Sequence, residues 1–364
     1  MNMKNTFVLP LLLTSALSYA ETISANLYPG GEVTWSTSSI WEIDGSSADR
    51  LPGAGDQVVI TTTDDGSGSY ATVTANAGNV KWKAEGSLTL NGPTHLNFTN
   101  SNLSAWGNIY LNSGSVLTVN GSGWSTFILL GDTVDGANID NGKTVNFALE
   151  KGATFSLINA HFSPNSTHNK APDTTANIDL KGDFSITKGS FFLAEGVGST
   201  TNLNIYGSAK VSSDTGTYFG NGYVGSVVNM SFKMQDLRTS AIAGQADATI
   251  ALFSTGTIEF RNNITANFII DFSDFSIDGG SFIVGQTYNF ALISAASGLD
   301  ESIFDKISIA NESALGSEWA LAEDYLSISD NTLYLNLSRV PEPSTYAAIF
   351  AILALALAVY KKHR

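Results

Sequence analysis

Gly86-Ser87-Leu88-Thr89-Leu90-Asn91-Gly92 returns further along the chain as Gly114-Ser115-Val116-Leu117-Thr118-Val119-Asn120-Gly121, and this recurrence decides the fold. Looser copies are Gly152-Ala153-Thr154-Phe155-Ser156-Leu157, Gly182-Asp183-Phe184-Ser185-Ile186 and Gly207-Ser208-Ala209-Lys210-Val211. The starts at 86, 114, 152, 182 and 207 are 28, 38, 30 and 25 positions apart, a range that suits one supersecondary unit per copy with loops of varying length. Within a copy, apolar residues alternate with Ser, Thr or Asn, which is the two-residue period of a strand with one buried face. One strand cannot bury that face, but stacked copies can. The expected fold is therefore all-β, a parallel β-helix or β-solenoid. Glycine at the strand starts supplies the positive φ that sharp turns need. Asn91, Asn120 and Asn159 follow apolar strands, where amides could stack from coil to coil. The competing architecture, an antiparallel β-sandwich, calls for two-residue Asn-Gly or Asp-Gly hairpins, which are sparse here.

Outward from the repeats, which fill residues 81–265, both flanks change character. Residues 21–80 carry Trp35, Trp41, the turn Leu51-Pro52-Gly53 and the run Gln57-Val58-Val59-Ile60. They resemble the opening of secreted β-helical proteins, where a strand pair seals the first coil, and are assigned as an N-terminal cap with first coils. Asp64-Asp65-Gly66 marks a turn before the alternating Tyr70-Ala71-Thr72-Val73-Thr74. Residues 266–339 resemble the terminal cap of autotransporter-type passengers. Here Ser281 to Ile293 reads as strand, turn, strand, Ser302 to Lys306 as a short helical turn, and Asp330 to Leu337 as a last strand with its leucines inward. A solenoid needs such a cap over its open edge.

The two ends of the chain carry addresses. Lys4, an apolar core from Phe7 to Leu17 and Ser18-Tyr19-Ala20 form a secretory signal peptide over residues 1–20, with cleavage expected between Ala20 and Glu21. At the other end, Pro341-Glu342-Pro343 is followed by an uncharged run from Tyr346 to Tyr360 and then by Lys361, Lys362, His363 and Arg364. The alanines and leucines of that run favour helix, and Ser344 or Thr345 can cap it. At about 1.5 Å per residue the run is roughly 22 Å long, against a hydrocarbon core of ~30 Å. Snorkelling by Lys361, Lys362 and Arg364 and the interfacial tyrosines can cover the difference, so one short transmembrane helix is expected, with the basic end as a cytoplasmic stop. A buried helix of a soluble domain would instead show a polar face.

Residues 340–364 resemble the PEP-CTERM sorting signal of Gram-negative bacteria: the Pro341-Glu342-Pro343 motif, a membrane segment and a basic tail, in that order. The resemblance implies a transient partner, an exosortase, which cuts near the motif and passes a protein already exported through the inner membrane, and anchored there by its helix, to the cell surface or extracellular matrix. It implies nothing about the chemistry of the body.

Composition narrows that chemistry. The chain has no cysteine, which removes disulfides, thiol nucleophiles and Cys-ligated metals. Residues 21–339 hold 32 acidic side chains (33 less Glu342) and 14 basic ones (18 less Lys4, Lys361, Lys362 and Arg364), a net charge of −18. Nucleic acid and anionic lipid are poor partners for such a surface. The four histidines are His95, His161, His168 and His363, and no His-Glu-x-x-His, Gly-x-Ser-x-Gly or phosphate-binding glycine loop occurs. His161 and His168 share a Ser/Asn/Pro-rich loop without a carboxylate to complete a metal site. Asp271, Asp274 and Asp278 fail the calcium-loop pattern at Ser273. Glu150 and Asp183, with Lys143, Lys151 and Lys181 near them, are the carboxylates that a polysaccharide-active β-helix would use. Trp82, Trp106, Trp124 and Tyr218-Phe219 could stack on sugars, or pack as core. The expectation is a non-enzymatic structural or adhesive protein of the cell surface, exopolysaccharide matrix or biofilm, with no catalytic residue, cofactor or metal. The competing reading is a glycan-binding or glycan-degrading protein.

Overall fold

The computed structural model describes residues 21–53, 55–76, 86–99, 107–130, 133–134, 137–138, 142–165, 172–212, 214–220, 224–235, 237–238, 251–278, 282–341 and 343–362. The expected signal peptide with Ala20, and Trp82, Trp106, His168, Glu342, His363 and Arg364, lie outside these residues.

Among the described residues most strands form one sheet of twelve and one of thirteen, beside two small two-stranded pairs, and nearly all neighbours within the two large sheets are parallel. Through the coils the chain visits the two sheets in turn: Gln57–Thr62 in the first, Ala71–Asn76 in the second, Ser87–Asn91 in the first, Thr94–Thr99 in the second. This is an all-β solenoid of two facing sheets. Its core is a pair of inward ladders. In the first sheet Ile23, Val58, Leu88, Ile109, Phe147, Ile178, Leu203, Met230, Phe268 and Ile307 stand opposite one another coil after coil. In the second the series is Val73, Leu96, Leu117, Phe155, Phe184, Ala209, Phe253 and Ile293. All of these are buried except Ile307, which is half-buried. The alternation in the sequence sets this arrangement, since a one-residue slip would turn every inward residue out.

Coil length varies. The step from Leu88 to Ile109 takes 21 residues (109 − 88) and that from Phe268 to Ile307 takes 39 (307 − 268). The strands keep register while the connections absorb the difference.

The repeat expected from the sequence forms, with one correction. Copies two to five supply neighbouring strands of the second sheet, Val116–Ile128, Thr154–Ser163, Asp183–Thr187 and Ala209–Val211. The first copy, Ser87–Asn91, lies in the first sheet. Both sheets bury one face, so both carry the same alternation, and the pattern identifies a strand without saying which sheet it joins. Asn91 ends a strand of the first sheet and Asn120 lies within Val116–Ile128 of the second, so the two do not stack; Asn91 instead accepts from Asn112 Nδ2 at 2.6 Å. The leading glycines also serve two ends. Gly152 has φ +83°, whereas Gly182 has an ordinary backbone but a Cβ there would meet the Ala153 carbonyl oxygen at 2.3 Å.

At the N-terminal end Trp35 and Trp41 are buried with ring centroids 4.8 Å apart, and Trp41 Nε1 donates to the Trp35 carbonyl at 2.9 Å. At the other end the second sheet turns antiparallel: Thr287–Ser297 pairs with Thr332–Arg339, which pairs with Trp319–Ser329. The last strand buries Leu333, Leu335 and Leu337, and Glu301–Lys306 is a short 3-10 helix capped by Asp300, as the sequence suggests. Among the described residues ahead of Thr287, 282–286, the expected strand does not form. Val284 and Gly285 lie in a turn, because the Ile283 N–H is taken by the Tyr288 hydroxyl at 2.6 Å and the Ile283 carbonyl by Gln286 N at 3.2 Å.

A helix does form at Pro343–Lys362. Among the described residues, however, no helix is long and apolar enough to cross a membrane. The structure thus does not support the expected transmembrane helix as a full span. The physical reason is length, since fifteen residues from Tyr346 to Tyr360 reach only about 22 Å.

Candidate functional site

The candidate site is the junction between the folded body and this helix. The final strand, Thr332–Arg339, is drawn into place by its three inward leucines, and its end is fastened from three sides. Arg339 N donates to the Gln286 carbonyl at 2.9 Å and Gly285 N donates to the Arg339 carbonyl at 2.7 Å. The Arg339 guanidinium pairs with the Glu318 carboxylate and lies 5.4 Å over the Trp319 ring. Val340 N donates to the Glu318 carbonyl at 2.9 Å. Pro341 follows at once, and Pro343 opens the helix. The motif therefore leaves the body with no linker.

Beyond the motif the helix covers none of its described faces. Phe350, Ile352, Leu355 and Leu357 are each about two-thirds exposed (67–68%), and Ile349, Leu353 and Val359 are about half exposed. At 100° per residue these positions, together with the exposed Ala351 and Ala354, go all the way round the axis. A helix that is uncharged up to Tyr360 and covered on none of its described residues is out of place in water. Lys361 and Lys362 stand at its last turn, where cations suit the helix dipole.

Beside the junction a cavity of about 480 Å³ opens between Phe275, Ile277, Phe282, Leu315 and Trp319, with Glu318 and Arg339 on its wall. Its rings meet edge to face, Phe282 and Trp319 at 5.0 Å and Phe275 and Trp319 at 6.4 Å.

The other candidates read from sequence are explained by stacking. Lys181 Nζ lies 3.0 Å from Glu150 Oε1 on the neighbouring coil, and that hydrogen bond holds the lysine above its ordinary range. Asp183 is exposed on the opposite sheet. Asp271 does not join Asp274 in a ligand set. Burial pushes its carboxyl up, but bonds from Lys233 (2.5 Å), Asn311 (2.8 Å) and the Ser273 N–H (2.9 Å) outweigh this and hold it at about 2. It buckles adjacent coils together. His161 is half-buried, accepts from Ser190 N at 3.0 Å through Nδ1, and burial lowers its pKa. His95 Nε2 lies 3.0 Å from Thr118 Oγ1 and is likewise lowered by burial. No group of three potential metal ligands occurs among the described residues. Phe219 is core, whereas Tyr218 stacks on Phe192 at 5.0 Å with Arg261 4.8 Å over its ring, so neighbours occupy its faces.

Two features escaped the sequence reading. The first is a ladder of six asparagines, Asn108, Asn146, Asn177, Asn202, Asn229 and Asn267, on the outer face of the first sheet. Each of the last four donates through Nδ2 to the Oδ1 before it, at 3.1, 2.9, 2.8 and 2.8 Å. Asn146 Nδ2 reaches Asn108 Oδ1 at 3.3 Å. The signal was present as Val-Asn-Phe, Ala-Asn-Ile, Thr-Asn-Leu, Val-Asn-Met and Ala-Asn-Phe around the last five. The second is Glu195, 4% exposed, whose Oε2 lies 2.7 Å from Ser163 Oγ. Burial pushes this carboxyl up to about 7 against the Ser163 hydrogen bond and the Arg261 charge. The Ser163 hydroxyl also sits 2.5 Å from the Asn165 carbonyl, and having one proton it can donate to only one of the two. A protonated Glu195 resolves this by donating to Ser163, which then donates to Asn165.

Comparison with protein-family models, with curated proteins and with solved structures finds no match to this chain.

Proposed function

We propose that this is an exported surface protein, delivered by an exosortase through Pro341-Glu342-Pro343 and held until then by the C-terminal helix at the inner membrane of a Gram-negative bacterium. The observation that carries the reading is a helix apolar on every described side, joined without a linker to a body fastened as far as Val340. Lipid is the medium that suits such a helix. The interfacial tyrosines and the Lys361, Lys362 and Arg364 cluster make up the shortfall in length by thinning the bilayer locally and snorkelling. A residue that precedes proline is biased away from helix, and an extended motif is the form that a processing enzyme would seat.

The body's role in this reading is structural or adhesive, at the cell surface or in exopolysaccharide, without enzymatic chemistry. A glycan-binding role has one observation in its favour. Each interior asparagine of the outer ladder spends one N–H and one lone pair on its neighbours and keeps one of each for a partner outside. The test of the sorting proposal is fractionation of cells making the full chain. The wild type is expected at the surface without its basic tail, and Glu342→Ala in the membrane with the tail intact. If Glu342→Ala leaves the membrane as the wild type does, the tail is an anchor and no sorting signal.

A further inference from the structure

The cap carries a second apolar feature beside the junction. Ile283 and Val284 are 59% and 52% exposed, and they are neighbours in sequence. The other large apolar residues exposed on the described body, Tyr28, Leu51, Tyr70 and Val224, are not neighbours in sequence. The turn that presents the pair is pinned to the junction, because Gly285 N donates to the Arg339 carbonyl at 2.7 Å. From Arg339 to the first helical residue, Pro343, there are four steps, at most ~14 Å of extended chain. Phe282, just before the pair, lines the cavity with Phe275 and Trp319, so aromatic rings flank it on the body side. Rings and short apolar loops are what settle at the boundary between lipid headgroups and acyl chains.

We propose that this face of the cap, Phe282 to Val284 with the aromatic cleft behind it, is seated in the headgroup region of a zwitterionic bilayer. The inference rests on the membrane reading of the helix and adds a second contact to it. Charge selects the lipid. The body is strongly acidic, and at this face Glu318 is neutralised by Arg339 while Asp274 is exposed, so anionic headgroups are repelled and zwitterionic ones are not. Once the helix has entered lipid, the loop is already within reach of the surface, and its burial costs little additional orientational freedom. The consequence is a body held in one orientation, with the sorting motif at a fixed height above the membrane.

The chain lacks cysteine, so single-cysteine variants of the full chain can each carry one environment-sensitive fluorophore. Val284→Cys reports on the loop, Leu355→Cys on the helix, and Tyr28→Cys on the far end, because the first and last coils lie at opposite ends of the first sheet. Each labelled protein is placed in phosphatidylcholine vesicles that contain a lipid-borne quencher. Strong quenching is expected at 355, clear quenching at 284, and several-fold less at 28. Quenching at 355 with none at 284 would overturn the seating and leave the helix reading intact. Equal quenching at 284 and 28 would also overturn it, as general adsorption. Absence of quenching at 355 would remove the membrane reading, and the seating with it.

Discussion

The parallel stack and the antiparallel arm at its end solve the same problem by different means. In the stack a strand finds its neighbour 21 to 44 residues away (109 − 88 and 253 − 209), and nothing local sets the register except matching inward side chains. In the arm, Ser329 pairs with Thr332 across Asp330 and Asn331, whose φ values of 48° and 54° suit the turn of a tight hairpin. The stack is held by ladders that repeat, and the arm by a turn and one row of leucines. Damage should therefore spread differently. A coil touches only the coils above and below, so losing one loosens both sides, whereas the arm has a free outer edge.

The sharpest way to break this comparison is through the core. Phe155 is ringed by Phe127, Phe147, Phe162 and Phe184 at centroid distances of 5.6, 5.1, 5.8 and 5.4 Å. Phe155→Ala should cost about 3–5 kcal/mol and raise hydrogen exchange in the coils on either side. Leu335→Ala should cost about 2–5 kcal/mol, with faster exchange confined to the arm. Identical exchange maps would mean that stack and arm unfold as one unit.

The same contrast explains what could be read from the sequence. The alternation of Leu88 and Leu90, or of Val145, Phe147 and Leu149, made strands and inward faces legible, because a two-residue period is local. Sheet membership was not legible, because Ser87–Asn91 and Val116–Ile128 carry one pattern on two sheets. The turn at Val284-Gly285 was missed because Ile283 and Val284 are apolar, and apolar residues read as strand. Glu195 was missed because its shift comes from burial, and its hydrogen-bond partner Ser163 stands 32 residues earlier and is adjacent only after the coils stack. The junction was legible because its parts follow one another along the chain.

A second prediction sets one carboxyl inside the stack against one at its last coils. Asp271 is held at about 2, below the ordinary 3.8, so its contribution to stability is full above about pH 4 and fades as pH falls toward 2. Glu195 has the opposite sign. Its folded value of about 7 lies above the ordinary 4.5, so its contribution is full below pH 4.5 and is lost as pH rises to about 7. Glu195→Gln keeps a donor for Ser163 without the charge. At pH 8 it should stabilise the body by on the order of 2–3 kcal/mol, with little effect at pH 4. Asp271→Asn should destabilise at pH 7 and converge with the wild type near pH 2. Denaturant titrations across pH would test both, and a flat profile for Glu195→Gln minus wild type would show that the buried carboxyl does not bind its proton in the folded state.

The smallest expected effect concerns polar pairs, and it asks whether the outer asparagine ladder is more than decoration. Asn202 Nδ2 donates to Asn177 Oδ1 at 2.9 Å and Asn202 Oδ1 accepts from Asn229 at 2.8 Å, all three half-buried. The matching cross-strand contact in the arm is Thr287 Oγ1 to Ser338 Oγ at 2.9 Å, which is exposed. Water can replace either partner, so Asn202→Ala alone should cost only about 0.5–1.5 kcal/mol. The informative quantity is the coupling between partners. Amides in a chain polarise one another and hold their neighbours' rotamers, so Asn177→Ala and Asn202→Ala together should cost less than their sum, by about 0.5 kcal/mol or more. The Thr287→Ala and Ser338→Ala cycle should be additive within about 0.3 kcal/mol, because two exposed hydroxyls lose little when water takes over. If the asparagine cycle were equally additive, the ladder would add nothing to the stack beyond six independent amides. Its regular spacing would then have to be explained by what it meets outside the protein.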